Sequence, residues 1–199
     1  MSSPPPAAFY FDLASPLAYL AAERVLHVLP GPAEWQPVLA RELKGTAPED
    51  LRAELARRAA ALGLQPLRWP TPFPFDSSLA MRVATYAKSI GRTVPFAQAA
   101  FRQAFAGGHS LEDPDFVLIA AAACEMHPAA VLRGAELRSV AEQLSASTAA
   151  AATLGVTDVP AIVVEGTQPG EQARVFQGER ALEDAAAYMR GEPLGRVSR

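Results

Sequence analysis

FYFDLASPLAYLAAERV, residues 9–25, holds a change of period that decides the fold. AFYFDLA is apolar and aromatic, as a buried strand is, with Asp12 as a lone acidic residue near its end. PLAYLAAERVLHVL then places Leu17, Leu20, Val25, Val28 and Leu29 at helical spacing. Ser15 and Pro16 stand at the joint. Proline fits the first helical position, where a missing N–H costs no hydrogen bond, and the serine before it is a natural N-cap. The stretch is therefore a strand feeding directly into a helix, and Gly31-Pro32 ends that helix.

Working outward, AEWQPVLA reads as a second strand, with Pro37 marking an edge or an irregularity. Residues 46–63 read as a helix with a Thr/Pro start and a glycine stop. PLRWPTPFPFD follows as an ordered loop rich in proline and aromatics. Residues 77–91, 94–108 and 113–127 each have helical length and spacing, and residues 136–155 extend the helical run. The end reverts to strands in DVPAIVVEG and ARVFQG, with TQPGEQ as the turn between them and residues 179–191 as a closing helix. The order is β-α-β, a long helical stretch, then β-β-α. The expected class is α/β.

Composition bounds the function. The 199 residues suffice for one large domain or a core with an insertion. Half are apolar, 20% are charged, and the net charge is -3. No Lys/Arg cluster interleaves with aromatics, so no nucleic-acid partner is expected. The apolar run VLIAAAAC is too short to span a membrane and reads as core helix. MSSPPPAA lacks the basic and apolar regions of a signal peptide. The one cysteine, Cys124, cannot form an internal disulfide and reads as a buried, inert thiol. A cytoplasmic location is expected. His27, His109 and His127 have no metal-ligand spacing, so no metal is expected.

The order of elements, with a proline opening the third strand, resembles the thioredoxin fold carrying an inserted all-helical domain, as in the DsbA-like superfamily. Within it, the FYFD…SP…YLA stretch, FPFDSSLAMRVA and LGVTDVPAIVV together resemble 2-hydroxychromene-2-carboxylate isomerases and kappa-class glutathione transferases. The resemblance implies three segments: 8–42 and 154–191 as the two parts of the thioredoxin-like domain, and 43–153 as the helical insertion. It implies glutathione as cofactor, a small aromatic carboxylate as substrate, and a homodimer.

The same resemblance assigns roles. Ser15 stands where oxidoreductase relatives keep the first cysteine of a CxxC, but the quartet Ser15-Pro16-Leu17-Ala18 has no thiol. Disulfide exchange by that quartet is chemically excluded. Ser15 would instead steady the glutathione thiolate, as catalytic residue and cofactor contact, since hydrogen bonds to a thiolate lower its pKa. Pro160 would be cis and would direct the backbone of Val159 toward the ligand. Lys44 would lie near a carboxylate. Glu179 and Arg180 would meet the γ-glutamyl end, where relatives have a small polar residue followed by Asp-Arg; here Gly178 removes one polar contact. Trp69, Asp76 and Arg82 would line the substrate pocket. Asp76 replaces an asparagine of the family pattern, so an acceptor stands where an amide could also donate. Three activities remain open on these residues: isomerisation, conjugation of glutathione to electrophiles, and a non-catalytic thioredoxin-like binding role.

Overall fold

The computed structural model describes residues 4–45, 51–166 and 170–193. A four-stranded sheet forms from β1 (Ala7–Phe11), β2 (Ala33–Pro37), β3 (Ala161–Val164) and β4 (Arg174–Gln177), in the order β2-β1-β3-β4. β1 runs parallel to β2 and antiparallel to β3, and β4 returns antiparallel beside β3. Pro37 lies on an edge strand, opposite Phe11, where its missing N–H breaks no central ladder.

The period-two alternation of β1 sorts its side chains. Phe9 and Phe11 are fully buried on one face and pack edge-on against Trp35, with ring centroids 4.9 and 5.7 Å away. Ile162, Val164 and Leu182 join them in the main core. Tyr10 points to the other face, into a smaller cluster with Val38, Val159 and Val163. Truncating a buried phenylalanine such as Phe9 costs about 3–5 kcal/mol.

α1 (Pro16–Ala22) and α2 (Val25–Val28) follow β1, so the helical pattern of residues 16–29 is divided at Glu23-Arg24. A 3-10 turn (Ala40–Glu42) follows β2. The inserted helices are α3 (Arg52–Ala61), α4 (Ser78–Ser89), α5 (Thr93–Phe105), α6 (Pro114–Ala122), α7 (Pro128–Glu136) and α8 (Arg138–Leu154); α9 (Ala181–Met189) closes the fold. α3 to α7 lie within the expected segment 43–153, and α8 runs one residue past its end, to Leu154. Of the expected turn TQPGEQ, residues 167–169 lie outside the described residues, as do residues 46–50 at the start of the helix expected over 46–63.

α7 has no counterpart among the helices that the sequence pattern predicts. Residues 113–127 were expected as one helix, but α6 stops at Ala122 and Glu125 turns the chain at φ 60° without a glycine. Pro128 then opens α7. α7 packs on α4 at Gly134, where an added Cβ would lie 2.5 Å from the Tyr86 ring. α5 carries the insertion onto the sheet domain: Phe101 and Phe105 are fully buried and meet the ring of Tyr19 on α1 at 6.1 and 5.7 Å. Cys124 is buried, and burial pushes its thiol pKa up, as expected of an inert thiol. Among the described residues no helix is long and apolar enough to cross a membrane.

Candidate functional site

The end of β1 and the start of α1 build one edge of the site. Ser15 caps α1: its Oγ accepts the Ala18 N–H at 3.2 Å, and Pro16 occupies the first helical position. Asp12 sets the turn before it. The Asp12 carbonyl accepts the Ser15 N–H at 3.0 Å, and its Oδ1 accepts the Ala14 N–H at 2.9 Å. Its Oδ2 accepts the Ala40 N–H at 2.9 Å, tying the 3-10 turn to the same carboxyl, and the Ser77 hydroxyl donates to it as well. Asp12 is only 3% exposed. Burial pushes its carboxyl above the ordinary aspartate range, against the opposing effect of these donors and of nearby Arg41.

Opposite Ser15, the Val159–Pro160 peptide is cis, as the resemblance implied. The Ser15 hydroxyl donates to the Val159 carbonyl at 3.3 Å, a long bond that a better acceptor can replace. The Val159 N–H donates to the Asp158 carboxylate at 2.7 Å. Burial lifts the Asp158 carboxyl above its ordinary range. The chain after β2 approaches closely here: a Cβ on Gly45 would lie 2.7 Å from the Thr157 carbonyl and 3.1 Å from Asp158 Cβ.

The proline-rich loop supplies the aromatic wall. Its Arg68 N–H donates to the Phe105 carbonyl at 2.8 Å, which fastens the loop to α5. Trp69 and Phe73 meet edge-on at 4.9 Å, and Phe73 continues to Phe75 and Phe105 at 6.3 and 6.2 Å. Arg52 of α3 lies over the Trp69 ring at 5.0 Å. Two more X-Pro peptides in this loop, Thr71–Pro72 and Phe73–Pro74, are also cis.

These walls enclose a cavity of about 750 Å³. Ser15 and Val159 line one side, Trp69, Phe73 and Phe75 another, and Asp12, Arg41, Asp76 and Asp158 add the polar groups. The volume falls within the range of about 300–1,000 Å³ usual for small-molecule sites. A smaller groove of about 60 Å³ adjoins it through Leu17, which lines both, and is walled by Arg24, Arg58, Pro160, Gly178, Glu179 and Glu183. Gly178 has φ 83°, a conformation that favours glycine, so the absent side chain has a backbone reason.

Of the residues singled out in the sequence, Ser15, Val159, Trp69 and Asp76 share the large cavity, while Pro160 and Glu179 share the groove. Glu179 pairs with Arg58 of α3, which also holds Glu54. Arg180 pairs with Asp184 one turn along α9, at 3.4 Å. Lys44 and Arg82 are exposed, and neither lines a cavity described above. The cation at Asp76 is Arg41, at 2.6 Å. Arg41, Asp158 and Arg58 were not legible as site residues, because nothing adjacent in sequence marks them. Asp12 carried one signal, an acidic residue ending an apolar strand.

The family described as DSBA-like thioredoxin domain matches residues 8–189. No curated protein matches the chain in sequence. Among solved structures, a 2-hydroxychromene-2-carboxylate isomerase is similar with a TM-score of 0.78 and 18% identity, over 93% of this chain and 95% of that one. The cytosolic disulfide reductase DsbM from Pseudomonas aeruginosa, in a structure with GSH, is similar with a TM-score of 0.66 and 14% identity, over 94% of this chain and 96% of that one. DsbA of the same organism gives a TM-score of 0.59 and 16% identity, over 96% of this chain and 92% of its own.

Proposed function

The chain belongs to the family of DSBA-like thioredoxin domains, and on that premise we propose that it is a glutathione-dependent isomerase of aromatic acids resembling 2-hydroxychromene-2-carboxylate. One observation carries the reading. A serine hydroxyl, held by a weak 3.3 Å bond, lines a partly aromatic cavity where a thiol enzyme of this fold needs sulfur, and the quartet it opens has none. Both the cavity volume and the donor set fit a thiol brought in as cofactor. The 2-hydroxychromene-2-carboxylate isomerase among the similar structures supports the choice of reaction, and DsbM with GSH supports the choice of ligand.

Glutathione bound there supplies a thiolate nucleophile that can add to a conjugated aromatic acid and leave again, with no net redox change. The chain's own residues do the rest. The Ser15 hydroxyl turns from the Val159 carbonyl to donate to the sulfur and favours its ionised form. Val159, beside the cis proline, presents its backbone to the ligand peptide. Glu179 receives the ligand's ammonium in place of the Arg58 guanidinium, with Arg180 and Lys44 as outlying cations for its carboxylates. Trp69, Phe73 and Phe75 take the aromatic ring and exclude water. Asp76 stands at the substrate side of the site.

A second reading, conjugation of glutathione to an uncharged electrophile, is favoured by Asp76. Its carboxylate is held below the ordinary range by Ser78 and Arg41, so it stays ionised in the cavity wall and repels an acid. Titration with reduced glutathione, followed by addition of a hydroxychromene carboxylic acid, separates the readings. A changed isomer ratio with glutathione returned supports the isomerase, and glutathione retained in the product supports the transferase. Absence of glutathione binding refutes both and leaves a non-catalytic thioredoxin-like module. The accompanying cytoplasmic location and homodimer are checked by fractionation and by sedimentation.

A further inference from the structure

Arg41 and Asp76 come from segments 35 residues apart and meet across the wall of the large cavity, Nη1 to Oδ1, at 2.6 Å. Their side chains are 54% and 56% exposed, so the pair is solvated. Pairs of this kind are weak and open readily. Asp76 does not depend on Arg41 for its place. Its Oδ1 also accepts the Ser78 N–H at 2.9 Å and the Ser78 hydroxyl, and its own N–H donates to Glu112 Oε1 at 2.6 Å. Arg41 is different: among the described residues, Asp76 is the carboxylate paired with it. The guanidinium is thus a cation in a cavity with an aromatic wall, and an internal carboxylate covers it.

The geometry points to Arg41 as the residue that reads the carboxylate of an aromatic acid in this cavity, with Asp76 as a built-in competitor for the same guanidinium. A planar carboxylate engages a guanidinium through two parallel hydrogen bonds, which a lysine cannot supply. An incoming acid must displace Asp76 from Arg41 and then lie near it. A weakly matched anion fails that exchange, whereas an acid whose ring also fills the Trp69–Phe75 wall succeeds. Asp76 thereby sets a threshold for which acids bind. This deepens the isomerase reading and rests on it for the meaning of the acid, but its test needs no turnover.

The test compares binding of 2-naphthoate and of 2-naphthamide, an uncharged analogue with the same ring, by calorimetry. Circular dichroism checks that each variant is folded, as expected for half-exposed positions. Asp76→Asn should tighten 2-naphthoate about two- to fivefold, the scale of one exposed ion pair. Arg41→Met should weaken it by at least as much, and the double variant should lose the gain. 2-Naphthamide should bind all four proteins alike. Three results overturn the inference: parallel changes for acid and amide, a gain in Asp76→Asn that survives Arg41→Met, or no 2-naphthoate binding even in Asp76→Asn. If the acid and amide behave as expected while glutathione produces no isomerisation, the isomerase reading fails and the assignment of Arg41 stands.

Discussion

Replacing Ser15 by alanine tests the chemistry at its centre. The substitution removes one O–H donor from the site and one acceptor from the Ala18 N–H. A hydrogen bond to an ionised acceptor contributes about 1.5–3 kcal/mol. At about 1.4 kcal/mol per pKa unit, losing it should raise the thiol pKa of bound glutathione by about one to two units. Little is forfeited on the donor side, because the hydroxyl's present acceptor, the Val159 carbonyl, lies at 3.3 Å. The acidic limb of the pH–rate profile should move upward by the same amount. Well below that limb, turnover should fall about tenfold to a hundredfold. Loss of the helix cap adds about 1 kcal/mol of destabilisation, read separately as a lower Tm. Ultraviolet titration of the thiolate in the complex measures the shift, and Ser15→Thr, which keeps the hydroxyl, should nearly restore it. A lowered Tm with unmoved thiol pKa and pH–rate limb would reduce Ser15 to a cap and refute the reasoning.

The other predictions concern the groove, the buried carboxyl and the helical packing. Glu179→Gln should weaken glutathione binding several-fold by calorimetry, since a neutral amide holds an ammonium less well; an unchanged Kd removes Glu179 from the ligand. Asp12 is an acid whose pKa burial has raised, so its contribution favours the fold below the ordinary aspartate value and fades as pH rises through the raised one. The stability lost in Asp12→Asn, measured by urea unfolding, should therefore be larger in acid than at neutrality, and a difference that grows with pH contradicts the assignment. Gly134→Ala should destabilise by about 1–3 kcal/mol in the same assay, because the new methyl meets Tyr86 and α4 and α7 must separate.

What the sequence disclosed follows from the range of the forces involved. The Ser15-Pro16 joint was legible because a cap and its helix lie within four residues, and Ala18 does donate to Ser15. Pro37 marked β2 as an edge strand or an irregular one because it cannot donate to a central ladder, and β2 is an edge. α7 was missed because its preceding turn uses Glu125 at φ 60° where a glycine was the expected signal. The division of residues 16–29 was missed because Glu23 and Arg24 are compatible with helix. Glu23 is engaged elsewhere, in an ion pair with Arg102 of α5 at 2.7 Å.

The charges of the site belong to a longer range, and there local pattern fails for a definite reason. Asp76, and the glycine that Glu179 follows, both depart from the pattern that the resemblance implied. Each carries an arginine that arrives from a distant segment, Arg41 from the turn after β2 and Arg58 from α3. Neither arginine has a motif around it, since an ion pair constrains two side-chain ends and leaves their neighbours in sequence free. An acid read alone at either position looks like a deficit for an anionic or zwitterionic ligand. Paired with its arginine, the same acid becomes half of an exchangeable contact that a ligand can enter by replacing one partner. The departures and the distant arginines are therefore one feature, and testing either acid without its arginine measures only half of it.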